Sequence, residues 1–128
     1  METILVQETD SATLEVLTLA LEMKGYKVCS LFDQRENALD MIKRHRPKVV
    51  LLDCWLSHYS DSQISRWIKA HFPALPVIAF SCDNQIDKEY LRLGFDGYLK
   101  KPFDLETLYL TIKKFAHRSK ARCNSETV

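Results

Sequence analysis

The sequence predicts an α/β fold, a doubly wound five-stranded parallel sheet flanked by helices, and three observations predict it. Short aliphatic, β-branched runs alternate five times with stretches whose apolar residues recur at helical spacing. The connections between them are short, as right-handed β-α-β crossovers require. One run, Val49-Val50-Leu51-Leu52-Asp53, is apolar at every position until it closes on an acid, the pattern of a central strand covered on both faces.

Taken in order, Ile4-Leu5-Val6 marks a first strand within residues 1–7. The polar cluster Gln7-Glu8-Thr9-Asp10-Ser11 follows, in which either Asp10 or Ser11 suits a helix N-cap. Leu14, Leu17 and Leu21 give that helix an inner face, with Val16 either joining them or facing out, and Gly25 ends it. Residues 26–31 form a second strand. Asp33 caps a second helix with Ala38, Leu39, Ile42 and, at the margin, Met41 inward, before His45-Arg46-Pro47 breaks it. The third strand is Val49 to Asp53. A loop over 54–61 leads to a helix with Ile64, Trp67 and Ile68 inward, stopped by Pro73. Residues 75–80 make a fourth strand ending at Ser81, and Asp83 opens a helix carrying Ile86, Tyr90, Leu91 and Leu93 to Gly94. The fifth strand covers 95–99. Lys100-Lys101-Pro102-Phe103 turns into a last helix, with Leu105, Leu108, Ile112 and Phe115 apolar, ending near His117. One domain over 1–117 is thus expected, with 118–128 a polar, mobile tail or linker.

Composition sets outer bounds. At 128 residues the chain can bury roughly two-thirds of its unfolded surface. Its 46% apolar and 27% charged residues are ordinary globular values. A net charge of +1 gives no electrostatic reason to expect nucleic acid, and the basic end of the last helix, with Lys113, Lys114, Arg118, Lys120 and Arg122, reads as a solvated final turn. No secretory leader or membrane-length apolar run is visible, so a cytoplasmic protein with no membrane partner is expected. Cys29, Cys54, Cys82 and Cys123 form no C-x-x-C pair, which leaves buried thiols as the expectation; redox sensing by Cys54 and Cys82 is the alternative. His45, His58, His71 and His117 have no catalytic partner legible in the sequence.

The carboxyl ends of the strands carry the chemistry. Glu8 follows the first, Asp53 closes the third, Ser81 the fourth, and Lys101 follows the fifth. A strand order of 2-1-3-4-5 brings these together, because strands 1, 3, 4 and 5 are then consecutive neighbours. Two carboxylates suit Mg²⁺, which takes one or two of them together with waters and phosphate oxygens. A carboxylate can also attack phosphorus to form an aspartyl phosphate, with a cation and a hydroxyl stabilising the transferring group. Glu8 fits a simpler role equally well, since an acid before a helix N-terminus is favoured with no metal present.

With these residues in place, the sequence resembles the receiver domain of bacterial two-component response regulators, of the chemotaxis-receiver type, a flavodoxin-like (βα)5 sandwich. The resemblance runs from Ile4 to about His117 and is most specific over Gly94-Phe95-Asp96-Gly97-Tyr98-Leu99-Lys100-Lys101-Pro102-Phe103. It implies that Asp53 is the phosphoacceptor, Lys101 the lysine that contacts the phosphoryl group, Ser81 the hydroxyl that bonds it and Tyr98 the aromatic switch. Glu8, Asp53 and the backbone carbonyl of Trp55 would hold Mg²⁺. It also implies a histidine kinase or histidine phosphotransfer protein as donor, a downstream effector domain or protein, and signalling through the helix 4, strand 5 and helix 5 face. Homodimerisation through that face stays open. Such a protein is not an enzyme in the turnover sense, assisting only its own phosphorylation and dephosphorylation.

The sequence departs from the family pattern at three places. Thr9 stands where a second acid is usual, lowering the expected Mg²⁺ affinity. In the loop after Asp53, Ser57 takes a proline position and Asp61 a glycine position, and Trp55 and Tyr59 add bulk that limits the access of small phosphodonors. These departures motivate a second reading, a degenerate receiver that binds partners independently of phosphate. A flavodoxin-like electron carrier, using Thr9, Ser11 and Thr13 as a phosphate loop, is a remoter one; the stretch lacks glycine and leaves Lys101 and Ser81 unexplained.

Overall fold

The computed structural model describes residues 2–31, 38–54 and 59–126, except for the side chains at 59–62 and 118–126. Its elements run β1 (Thr3–Gln7), α1 (Ser11–Met23), β2 (Lys27–Leu31), α2 (Ala38–His45), β3 (Val49–Asp53), α3 (Tyr59–His71), β4 (Val77–Ser81), α4 (Ile86–Glu89), β5 (Gly97–Lys100) and α5 (Leu105–Glu126). The strands form one parallel sheet in the order β2-β1-β3-β4-β5, as the sequence predicts.

Alternation along the strands divides the core into two layers. Leu5, Val50, Leu52, Val77 and Ala79 face α2, α3 and α4, packing on Ile42, Ile68 and Ile86. Ile4, Val6, Val49, Leu51, Ile78, Phe80 and Leu99 face α1 and α5, packing on Leu17, Leu21, Leu108 and Ile112. Each fully buried aliphatic side chain contributes about 2 kcal/mol, so β3, covered on both faces, anchors the sheet.

Local signals account for the ends of α1. The Asp10 carboxylate accepts the Thr13 N–H at 3.0 Å, which makes it the N-cap. At the other end Gly25 takes φ 87°, a conformation open to glycine at little cost.

Several expectations are corrected. Trp67, expected inward, is 44% exposed, and Val16, whose side was open, is 54% exposed, because each sits one position off the stripe that meets the sheet. The expected helix after Asp83 shrinks to Ile86–Glu89, followed by turns to Gly94, and Leu91 is exposed. Leu105 is exposed in the first turn of α5, before that helix reaches the sheet. That helix continues to Glu126, past the expected end near His117, so the backbone of most of the expected tail is helical. Cys54 is buried as expected, but Cys82 is exposed. The expected cap Asp33 lies outside the described residues.

Candidate functional site

The parallel register delivers four polar side chains to one end of the sheet. Glu8 leaves β1 with its N–H bonded to Leu31 O at 3.2 Å, and Asp53 closes β3. Lys101 follows β5, and its N–H donates to Ser81 O at 2.8 Å, continuing the β4–β5 ladder by one bond. Glu8 and Asp53 are only 2% and 4% exposed, so each needs a partner inside the fold.

Lys101 supplies it. Its ammonium donates to Glu8 Oε2 at 2.7 Å and to Asp53 Oδ1 at 2.9 Å, bridging the ends of β1 and β3 from β5. It also lies 4.5 Å over the Phe80 ring, which Phe103 braces edge-on at 5.1 Å. The opposite carboxylate oxygens are held too: Asp10 N–H donates to Glu8 Oε1 at 3.2 Å, and Thr9 Oγ1 donates to Asp53 Oδ2 at 3.3 Å. The Asp53 N–H donates to the Gln7 side-chain oxygen at 3.1 Å. Burial by itself would push the Lys101 ammonium to lower pKa. The hydrogen bonds and charges of Glu8 and Asp53 outweigh it, and the group is held above its ordinary value. Lys101 is therefore a fixed cation at neutral pH, held between the two carboxyl groups.

Of the residues read from the sequence, Glu8, Thr9, Asp53 and Lys101 converge. Ser81 lies on the adjoining strand, fully buried, but its hydroxyl is engaged by Asp83: it donates to Asp83 Oδ2 at 3.3 Å and accepts the Asp83 N–H at 3.1 Å. Tyr98 stands at the surface, 38% exposed, with its ring 5.0 Å from that of Tyr90. Trp55, whose carbonyl was expected as a metal ligand, lies outside the described residues, as do Ser57 and the side chains of Tyr59 and Asp61.

Two participants were not read from the sequence, and a third was read in another role. Gln7 is 1% exposed and orients the Asp53 backbone; its signal was a polar residue closing an otherwise apolar strand. Asp83 holds Ser81, and a carboxylate two residues after a hydroxyl is too common to mark that role. Thr9 was read as a missing acid, or as a phosphate-loop hydroxyl, whereas its hydroxyl is a donor to Asp53.

Among the described residues no group of three or more His, Cys, Asp or Glu side chains is placed to hold a metal ion. Two carboxylates with a cation already between them form a donor set that fits a divalent ion of low affinity, completed by waters.

Comparison with known proteins gives one answer. The response regulator receiver domain family matches residues 4–113. Response regulator MprA of Mycobacterium avium is 32% identical over 127 residues, covering 98% of this chain and 55% of that protein. This chain thus spans little more than half of that relative. The crystal structure of NtrX from Brucella abortus superposes with a TM-score of 0.86 at 26% identity, over 99% of this chain and 29% of that one. A response regulator receiver domain protein from Clostridium thermocellum superposes with a TM-score of 0.81 at 26% identity, over 94% and 98% of the two chains.

Proposed function

The chain belongs to the response regulator receiver domain family of two-component signalling, and on that premise we propose that it is a phosphoacceptor modified on Asp53. The observation that carries this reading is the Lys101 ammonium bridging Glu8 and Asp53 at the carboxyl end of the sheet. A carboxylate oxygen of Asp53 attacks the phosphorus of a phosphohistidine on a histidine kinase or phosphotransfer protein. The P–N bond breaks, its electrons return to the imidazole, and the new acyl phosphate stays on Asp53. Lys101 is fixed beside the carboxylate, where charge on the phosphoryl group develops. Thr9, already a donor to Asp53 Oδ2, adds a neutral hydrogen bond on the other side.

Glu8 and Asp53 are the side chains that would hold Mg²⁺, which when bound supplies further charge neutralisation at the phosphoryl oxygens. Output follows from Ser81 and Tyr98. The Ser81 hydroxyl exchanges Asp83 for the phosphoryl group, Tyr98 leaves Tyr90, and the face of α4, β5 and α5 presented to an effector is remodelled. Incubation with acetyl phosphate and Mg²⁺, read by intact mass, tests the reading: the wild type gains one phosphoryl group and Asp53→Asn gains none.

One observation favours a second reading. Thr9 contributes a hydroxyl and no charge, leaving two carboxylates against one ammonium. If the wild type gains no mass while binding its effector, the domain is a phosphate-independent interaction module.

A further inference from the structure

The opposite end of the sheet carries a groove that the phosphoacceptor reading does not use. It has a volume of about 690 Å³ and lies where the carboxyl ends of α2 and α3 meet the amino ends of β3 and β4. That volume is in the range of sites that hold ligands. Its floor is apolar, made by Ile42, Pro47, Phe72 and Leu75. Its rim is cationic: Lys43, Arg46 and Lys48 on the α2–β3 side, with His71 at the end of α3. Among the described residues no acidic side chain lines it. In a chain whose net charge is only +1, this gathering of cations around carbon is local.

We infer that this groove docks an acidic segment of a partner protein, with an aromatic or aliphatic side chain on the floor and carboxylates along the cationic rim. Two classes of ligand fit worse. A phosphate or nucleotide site is usually built from free backbone N–H groups. Here four of the lining residues' N–H groups are consumed internally: Arg46 N–H by Ile42 O at 2.8 Å, Lys48 N–H by Thr3 O at 2.8 Å, Phe72 N–H by Ile68 O at 2.7 Å and Leu75 N–H by Phe72 O at 3.0 Å. A nucleic-acid backbone gains from cations but nothing from an apolar floor. An acidic peptide with an apolar anchor uses both.

Two details support a recognition surface. Arg46 has φ 47°, at the position after a helix where glycine or asparagine adopts that conformation more cheaply. An arginine there is held out from the helix end at a backbone cost of about 1 kcal/mol. Beside the groove, Trp67 is 44% exposed and meets the His71 ring edge-on at 5.6 Å; exposed tryptophan is over-represented at protein interfaces. The groove and Asp53 lie at opposite ends of the same strands, so docking does not cover the phosphoacceptor.

The test uses the full chain and a fluorescein-labelled peptide with a central Leu-Phe pair flanked by glutamates, followed by fluorescence anisotropy. Saturable binding is expected, weakened about tenfold by the exposed double reversal Lys43→Glu with Arg46→Glu and by added salt. Circular dichroism confirms that the reversal folds. A separate variant, Trp67→Ala, is expected to weaken binding without changing its salt dependence. Several outcomes would overturn the inference: no saturable binding, binding unchanged by the reversal, or equal binding of the peptide with lysines in place of glutamates. Stronger binding of a labelled single-stranded DNA would assign the groove to nucleic acid instead. A dimer in sedimentation that the reversal dissociates would assign it to a second copy of this chain.

Discussion

The ammonium of Lys101 lies 2.9 Å from Oδ1 of Asp53, joining the residue after β5 to the last residue of β3 across the intervening strand β4. One side chain thereby ties three strand ends, because the same ammonium reaches Glu8 beyond β1 at 2.7 Å. The bridge pairs a buried carboxylate with a cation and sets that cation beside the group proposed to attack phosphorus.

Replacing Lys101 by Met removes the cation and keeps most of the stem. Glu8 and Asp53 then lose the ammonium between them, and loss of one partner of a buried pair costs about 3 kcal/mol. The urea midpoint of Lys101→Met should fall accordingly, and its labelling by acetyl phosphate should drop at least tenfold if the missing charge is the cause.

The pH dependence follows from the direction of the Lys101 shift. A lysine raised by its partners contributes stability that is fully present below its ordinary value of 10.5 and is lost as pH rises through the higher folded-state value. Wild-type urea midpoints should therefore fall in the alkaline range beyond that value, and Lys101→Met should lack this part of the decline. At the acid end, Asp10 is lowered by hydrogen bonds from Thr13, and Asp104 by those from Thr107. Their contribution is present above the ordinary value of 3.8 and lost as pH drops below it.

Thr9→Asp restores a third carboxylate to the cluster and exchanges the hydroxyl donor to Asp53 for a like charge. Without metal this variant should be less stable than wild type by about 1 kcal/mol. With Mg²⁺ the order reverses, and calorimetric affinity for Mg²⁺ should rise about tenfold, because affinity follows the number of charged oxygen ligands.

Much of this was legible in the sequence. The alternating strands and helices of a doubly wound sheet follow from apolar runs and helical patterning, and the strand order that the family resemblance implies then brings Glu8, Asp53 and Lys101 together at the strand ends. What was not legible depends on rotation and on side-chain direction. Trp67 looks like a core residue by type, yet it sits one position off the Ile64–Ile68 stripe and faces out. Tyr90 and Leu91 fit a longer helix, yet α4 ends at Glu89 with Tyr90 as its C-cap, and turns follow to Gly94. The engagement of Ser81 by Asp83 is a rotamer choice, which no spacing rule encodes.

Gly97 offers a stability test away from the charges. A Cβ there would come within 2.6 Å of Phe115 Cζ and 3.2 Å of Ile78 Cδ1, both buried between β5 and α5. Gly97→Ala should cost about 2 kcal/mol through overpacking, read as a lower thermal midpoint.

The most direct measurement is the position of the phosphoryl group. Labelling with acetyl phosphate, reduction with borohydride and tandem mass spectrometry convert an aspartyl phosphate into homoserine at the modified residue. The account predicts homoserine at position 53 in wild type and at least tenfold less of it in Lys101→Met. Homoserine at another acid, or none in a folded wild-type protein carrying Mg²⁺, would contradict it.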